Sequence, residues 1–312
     1  MSRAVVVNTV NPDLLGTRSR LLNAAARFAY SARALGLAAA VRRLGSSYQA
    51  RRAERKTNPI HCAPTVPELK QCSWLADCHE LQVSELHLSN EHLAEFMRRT
   101  RYPRFYYFSR RRIRYAAWHE IGLRLAELTP RDVVLDVGAQ AGIWGTIARR
   151  TAGCRVLDLD LAYPPGRHED RIGADAAKIP LPDGAINCMA SFCAFNCFEG
   201  SADIDLLRAA NRLLATGGRI VIVPFCVGDA HVNLFDPDLC SYPEAFDEEA
   251  MRIAWPGWGN NFGRWYDRHA FQSRLLPQLT RFTLEVFAVH HDCSDVDLAS
   301  PFHAARFTLT SP

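Results

Sequence analysis

Val133-Val-Leu-Asp-Val-Gly-Ala-Gln-Ala-Gly-Ile-Trp-Gly-Thr-Ile-Ala148 reads as strand, tight turn and helix. Val133, Val134, Leu135 and Val137 form an apolar, β-branched run, and Gly138, Gly142 and Gly145 break it where a buried parallel strand ends. Asp136 lies inside that run. A carboxylate there is costly unless it accepts hydrogen bonds, so it is expected to take backbone amides of the following loop and hold the turn. Glycines at 138 and 142 let a ligand approach the backbone, and the next helix aims its first amides at that ligand. By itself the pattern also suits an ordinary strand-to-helix turn.

Working forward, Cys154 to Leu161 is a second buried strand, with Asp158 and Asp160 near its end. In an open parallel sheet ligands bind at the carboxyl ends of strands, where an acid accepts from a ribose; Asp160, nearer the terminus, is the preferred candidate. Asp175 and Ala176 follow in a loop suited to an adenine's amine. Ala185 to Phe192 is strand-like, Asp205 to Leu214 an amphipathic helix, Thr216 to Gly218 a turn, and Arg219 to Pro224 another buried strand.

These segments, in this order over about residues 115 to 225, resemble class I S-adenosylmethionine-dependent methyltransferases. Leu135-Asp-Val-Gly-Ala-Gln-Ala-Gly142 is similar to the family's glycine-rich motif, Ile179-Pro-Leu-Pro-Asp-Gly-Ala-Ile186 to the segment before its fourth strand, and Leu213-Leu-Ala-Thr-Gly-Gly-Arg-Ile-Val-Ile222 to its next helix, turn and strand. The resemblance implies an α/β fold, a Rossmann-like doubly wound sheet of about seven strands with an antiparallel last strand. It implies S-adenosyl-L-methionine as cofactor, held by Asp136, Gly138, Ala139, Gln140, Gly142, Asp160, Leu161, Asp175, Ala176 and Ser191. Two positions depart from the pattern: Gln140 replaces the middle glycine, and Asn187 stands where an acid is frequent. The Asn/Asp-Pro-Pro-Tyr/Phe sequence of amino-directed members is missing, with Ala194-Phe-Asn-Cys197 in its place.

Residues 226–280 form a longer insertion than the family carries, before strands expected at Phe282 to His290 and Phe302 to Leu309. This is the expected lid and acceptor site, with Trp255, Trp258, Asn260, Asn261, Arg264, Trp265 and Tyr266 suited to a sugar ring or another polar acceptor, or else a lid with its own small core. His231, oriented by Asp229, is the first candidate general base and His269 the second. The Gln-bearing loop, the Asp-Ile-Asp helix and the Gly-Arg-Trp-Tyr segment are similar to bacterial methyltransferase domains of cell-surface glycan pathways. The implied reaction is O-methylation of a saccharide or small polar acceptor. RNA methylation and a catalytically silent binding subunit are the alternatives.

At 312 residues, 48% hydrophobic and 22% charged, the chain has a soluble globular composition, and no stretch is apolar enough to span a membrane. The ten cysteines, several in apolar segments, read as reduced cytosolic thiols. Residues 1–56 read as a basic helical extension, acid-free from Leu14 to Ala53. It suits an anionic membrane surface or protein partner, an organelle transit peptide, or a solvated appendage.

Residues 57–114 read as a helical cap or connector, with helical periodicity from Val83 to Arg99, and residues 115–312 as the main domain. Within the cap, His61, Cys62, Cys72, Cys78, His79 and His87 lack the paired spacing of a zinc site, so no metal is expected. Arginines from Arg98 to Arg114 alternate with aromatics from Tyr102 to Tyr115, a mixture that grips nucleic acid or forms a helix pair with solvated arginines. Ile113 to Leu128 reads as a helix stopped by Thr129-Pro130.

Overall fold

Ser89 divides a stretch whose periodicity predicts one helix. The computed structural model describes Leu69 and residues 72–103, 109–236, 247–255, 260–293 and 301–310. In it Gln82–Leu88 is a strand, β1, and the helix α1 covers only Asn90–Arg99. Leu86 and Leu88 alternate as strand residues rather than marking a helical face. The Ser89 hydroxyl accepts the His92 N–H at 3.1 Å and starts α1 there, burying Leu93 and Phe96. Ser89→Ala is expected to cost about 1 kcal/mol in urea unfolding; an unchanged midpoint would remove the cap's role.

Helix α2 (Ser109–Ala126) runs across the boundary expected at 114 and 115 and precedes β2 (Val133–Val137). The turn between them is closed by Asp132, which accepts from the Thr129 amide at 2.6 Å and hydroxyl at 3.0 Å. There follow α3 (Ile143–Ala152), β3 (Arg155–Leu159), the short strands β4 (Gly166–His168) and β5 (Arg171–Gly173), β6 (Ile186–Phe192), α4 (Ala202–Leu213) and β7 (Leu214–Val223). The turn expected at Thr216 to Gly218 bulges out of β7, since Leu214 pairs with Ile186 and Arg219 with Cys188, and Gly217 has φ 75°.

Three small strands come next: β8 (Val232–Phe235), β9 (Met251–Ala254) and β10 (Gly263–Trp265). A short helical run, α5 (Arg268–Ala270), leads through further turns to β11 (Phe282–His291) and β12 (Phe302–Leu309). The main sheet has the order β1-β11-β12-β7-β6-β2-β3-β5-β4. Its inner seven strands run parallel except β12, which is antiparallel to both β7 and β11. The architecture is a Rossmann-like doubly wound sheet. Nine strands replace the expected seven because β1 extends one edge in parallel with β11, and β4 adds an antiparallel strand at the other.

Alternation along the strands separates two cores. Val134, Val156, Cys188, Val221 and Val223 pack under α2 and α3, whereas Leu135, Leu157, Met189, Ile220 and Ile222 pack under α4 and the turns after α5. Each fully buried leucine or isoleucine removes enough apolar surface to contribute about 1.5–3 kcal/mol against exposure. The insertion has its own sheet, ordered β10-β8-β9, over a small core of Leu69, Val232, Leu234, Ile253 and Trp255. No helix among the described residues is long and apolar enough to cross a membrane. The basic extension, His61, Cys62, Trp258 and the segment 104–108 lie outside the described residues.

Candidate functional site

After β2 the chain winds outward through β3 and β5, then returns to β6 on the other side of β2. Such a reversal opens a crevice beyond the carboxyl ends of the two strands. Its floor is the turn at 138–142, where Gly138, Gln140 and Gly142 are all left-handed, at φ 72°, 50° and 63°. Gly138 and Ala139 donate to the Leu159 carbonyl at 2.9 and 3.0 Å. The Gln140 amide donates to Asp160 Oδ2 at 2.8 Å, and its carbonyl accepts the Tyr163 hydroxyl at 2.8 Å. Those bonds offset a left-handed cost of about 1–2 kcal/mol, and Gln140 is exposed.

Asp160 is half-buried beside this turn, its Oδ1 accepting the Ala162 amide at 2.8 Å. The next residue, Leu161, is 78% exposed. Asp160 also donates its own amide to Ile172 in β5 at 3.1 Å, so Asp175, just past β5, stands at a neighbouring strand end. The exposed Asp175 carboxylate accepts the Ala177 amide at 3.0 Å, and Ala176 packs on the core. On the other side of β2, Ser191 pairs in register with Val137; its hydroxyl is buried with no partner. The structure therefore brings together the glycine turn, Asp160, Leu161, Asp175 and Ser191.

Asp136 and Asp158 are registered across β2 and β3, beneath the turn. Asp136 accepts the Gly145 amide at 3.3 Å, in α3 rather than in the loop as expected. Asp158 turns inward and pairs with Arg149 at 2.9 Å, which leaves the strand end to Asp160. Burial raises both carboxyls; Asp158 raises Asp136 further, and Arg149 pulls Asp158 partly back. Asn187, at the position where an acid is frequent, accepts the Val133 amide at 2.9 Å and so aligns β6 with β2.

The three expected catalytic residues do not converge. Asp229 does not orient His231: its carboxylate accepts the Ser73 amide and hydroxyl at 2.7 and 2.9 Å. His231 instead faces Asp247 at 3.2 Å and stacks on Tyr266, while His269 lies on the surface, 3.3 Å from Glu249. Asp247 belongs to a buried network missed in the sequence. Arg264, fully buried, binds Asp247 through Nε at 2.6 Å and Asp203 at 3.0 Å, and donates to the carbonyls of Phe198 and Gly200. Arg274 grips Asp203 at 2.8 Å, and the Tyr266 hydroxyl donates to Asp203 at 2.7 Å. Burial would raise the Asp247 carboxyl, but the His231 ring beside it and the hydrogen bonds from Arg264 hold it well below the usual range. This network fastens the insertion to the segment after β6. Trp255, Arg264 and Tyr266, expected to be exposed for an acceptor, are buried in doing so.

No protein-family model matches the chain, and no curated protein matches it. Solved structures with a similar fold include a chain of the complex formed by the Haloferax volcanii Trm112 methyltransferase activator (15% identity, 62% of this chain and 90% of that one, TM-score 0.42). Another is Burkholderia thailandensis 1,6-didemethyltoxoflavin-N1-methyltransferase with bound 1,6-didemethyltoxoflavin and S-adenosylhomocysteine (14%, 63% and 78%, 0.41). A third is the [4+2]-cyclase SpnF (14%, 55% and 57%, 0.35). At these scores the strand order above carries the fold assignment, and the likenesses add nothing to it.

On the α2 side, Tyr102 and His119 form a buried pair at 2.8 Å. Burial pushes His119 down to about 3, against 6.5 unperturbed. The unfolded chain therefore binds the proton that the folded chain refuses, and this stability is full above the unperturbed value and lost as pH falls. Wild type is expected to lose about 2 kcal/mol more than His119→Gln between pH 7 and pH 5 in urea unfolding; parallel losses would refute the buried neutral imidazole. The described cysteines are unlinked thiols, and burial raises Cys188 and Cys197 to about 12, too high for nucleophiles at neutral pH. Among the described residues no three His, Cys, Asp or Glu side chains form a metal's ligand set.

Proposed function

We propose that the chain is an S-adenosylmethionine-dependent methyltransferase acting on an oxygen of a small polar acceptor. One observation carries the reading: beside a left-handed glycine turn at the switch point, Asp160 presents its carboxylate and Leu161 an exposed apolar side chain. Both Asp160 oxygens accept one backbone amide each, which fixes the carboxylate and leaves lone pairs for two ribose hydroxyls. Leu161 offers a surface to a purine ring, and Asp175, at the next strand end, an acceptor for its amine.

When bound, S-adenosylmethionine would supply an activated methyl group to the acceptor oxygen, the electron pair of the broken C–S bond remaining on sulfur and the acceptor's proton passing to bulk solvent. The chain's part is alignment and exclusion of water. The Gly138–Gly142 turn holds the floor, Ala194 closes against Gly138, and the fastened insertion forms a fixed side. A general base is assigned to neither His231 nor His269, since the first is engaged with Asp247 and the second is exposed. The saccharide reading leaned on exposed aromatics in the insertion; with Trp255 and Tyr266 buried, it is carried here only as far as a small polar acceptor.

Calorimetric titration with S-adenosylhomocysteine tests the site. Micromolar binding is expected, weakened at least about tenfold in Asp160→Ala, a loss of ~1.4 kcal/mol. A folded wild type that does not bind would favour a silent binding subunit, with Gln140→Gly as the first change to restore affinity.

A further inference from the structure

The two edges of the main sheet are finished differently. β4 closes one side with three residues, Gly166 to His168, and carries Arg167; so short and charged a strand offers little to pair with. β1 closes the other side with seven residues, Gln82 to Leu88, in unbroken register with β11. It has no lysine, no proline and no bulge, the devices that commonly blunt such an edge.

One bond tells which backbone groups of β1 are spare. The Leu88 carbonyl accepts the Asp292 amide at 3.4 Å and so points at β11. Alternation turns the amides and carbonyls of Ser84 and Leu86 the same way, and those of Val83, Glu85 and His87 outward. Among the described residues no strand pairs with that outer side. Helix α1 does not cover it either, since Leu93 and Phe96 turn into the core that α2 shares. The side chains there stand in water, that of Glu85 82% exposed and that of His87 58%.

A second copy fits this edge. A two-fold axis makes the pairing antiparallel, and outward groups meet only outward groups, which leaves few registers. An axis at Glu85 or at His87 sets like groups opposite each other, which is unfavourable, and an axis nearer Val83 gives Glu85 no polar partner. With the axis at Leu86, Glu85 of each copy faces His87 of the other in a hydrogen-bonded pair, and the two Leu86 side chains meet between them. Leu86 is half-buried and packs on the α2 core, so the contact extends an apolar surface already present. His87 holds Asp292 at 2.9 Å through Nε2, which leaves Nδ1 for the incoming acid, and Glu85 reaches His290 of its own copy at 4.0 Å.

We infer that β1 is the contact of a symmetric dimer, in which two copies join edge to edge through Glu85 and His87 into one continuous sheet. The inference is independent of the proposed reaction, because β11, β12 and β7 separate β1 from the crevice beyond β6 and β2.

Sedimentation equilibrium of the full chain, from about 1 to 200 μM, tests it. A dissociation constant of about 10 μM is expected, at the weak end because a two-strand ribbon is a small interface. Glu85→Pro removes an N–H that β11 does not use, a change edge strands tolerate, and is expected to weaken the dimer at least about tenfold while the circular dichroism spectrum is kept. Glu85→Lys is expected to cost about tenfold as well; adding His87→Glu, which restores opposite charges in the reverse sense, is expected to return the affinity to within about threefold of wild type. Should Glu85→Pro fail to fold, the charge reversal decides alone. A chain that stays monomeric throughout, a dimer that folded Glu85→Pro leaves intact, or a double variant no tighter than Glu85→Lys would each overturn the inference.

Discussion

Arg264→Met is expected to remove about 3–5 kcal/mol of folding stability, the range for taking one member out of a buried ion network. The side chain is fully buried, and its five N–H groups are spent on Asp247, Asp203 and the carbonyls of Phe198 and Gly200. With methionine there, both carbonyls lose a donor and Asp203, itself fully buried, keeps only Arg274 and Tyr266. Two arginines against two aspartates then become one against two. Since Asp247 is held below the usual carboxylate range, its contribution is present above the unperturbed value of 3.8 and lost as pH falls through the folded one. Guanidinium unfolding of wild type and variant at neutral pH measures the cost. A loss under ~1 kcal/mol would mean that the network is no more than a surface ion pair in effect.

The second large effect is expected in α3, where intrinsic propensity and packing disagree in sign. Gly145 lies inside a helix, so alanine would ordinarily stabilise by about 1 kcal/mol. A Cβ there would stand 2.5 Å from Asp158 Oδ1, 3.1 Å from Val156 and 3.4 Å from Asp136 Oδ2. Asp158 cannot swing away cheaply, because it is buried and paired with Arg149. Gly145→Ala is therefore expected to destabilise by about 1–3 kcal/mol, as overpacking does. In the Asp158→Ala background the same change is expected to be neutral or stabilising, a coupling of at least ~1 kcal/mol in the double-mutant cycle. Additive losses would show that Asp158 is not what keeps this helix position bare.

The inner strands of the sheet could be read almost directly, because buried parallel strands announce themselves as apolar runs between glycines and helices. Strands β2, β3, β6, β11 and β12 lie within a few residues of their expected places. The crevice was legible for the same local reason: Asp136 to Gly142 and Asp160 sit at strand ends, where position follows from chain order. What escaped depends on partners far along the chain. β1 carries the signature of an edge, half polar on both faces, which a helical periodicity also fits. Arg264 looked like a solvent-facing sugar ligand because nothing near it in sequence tells that Asp203 and Asp247 close over it. His231 was given the nearest acid, Asp229, whereas folding gives it Asp247. No sequence signal marked the Tyr102 and His119 pair, whose neutrality follows from burial alone.

The pairing of β1 with β11 also sets an order of events. His87 in β1 contacts Asp292, 205 positions later. During synthesis β1 must therefore wait, unpaired, while the central strands and the insertion emerge, and closing so long a loop is slow compared with forming the βα units between. Until β12 arrives, β7 lacks its antiparallel neighbour, and the parallel half of the sheet exposes an edge to other nascent chains. Yield in cells is then governed by how quickly an early ribbon meets a late one, a competition between assembly and aggregation that protein concentration and temperature would tilt.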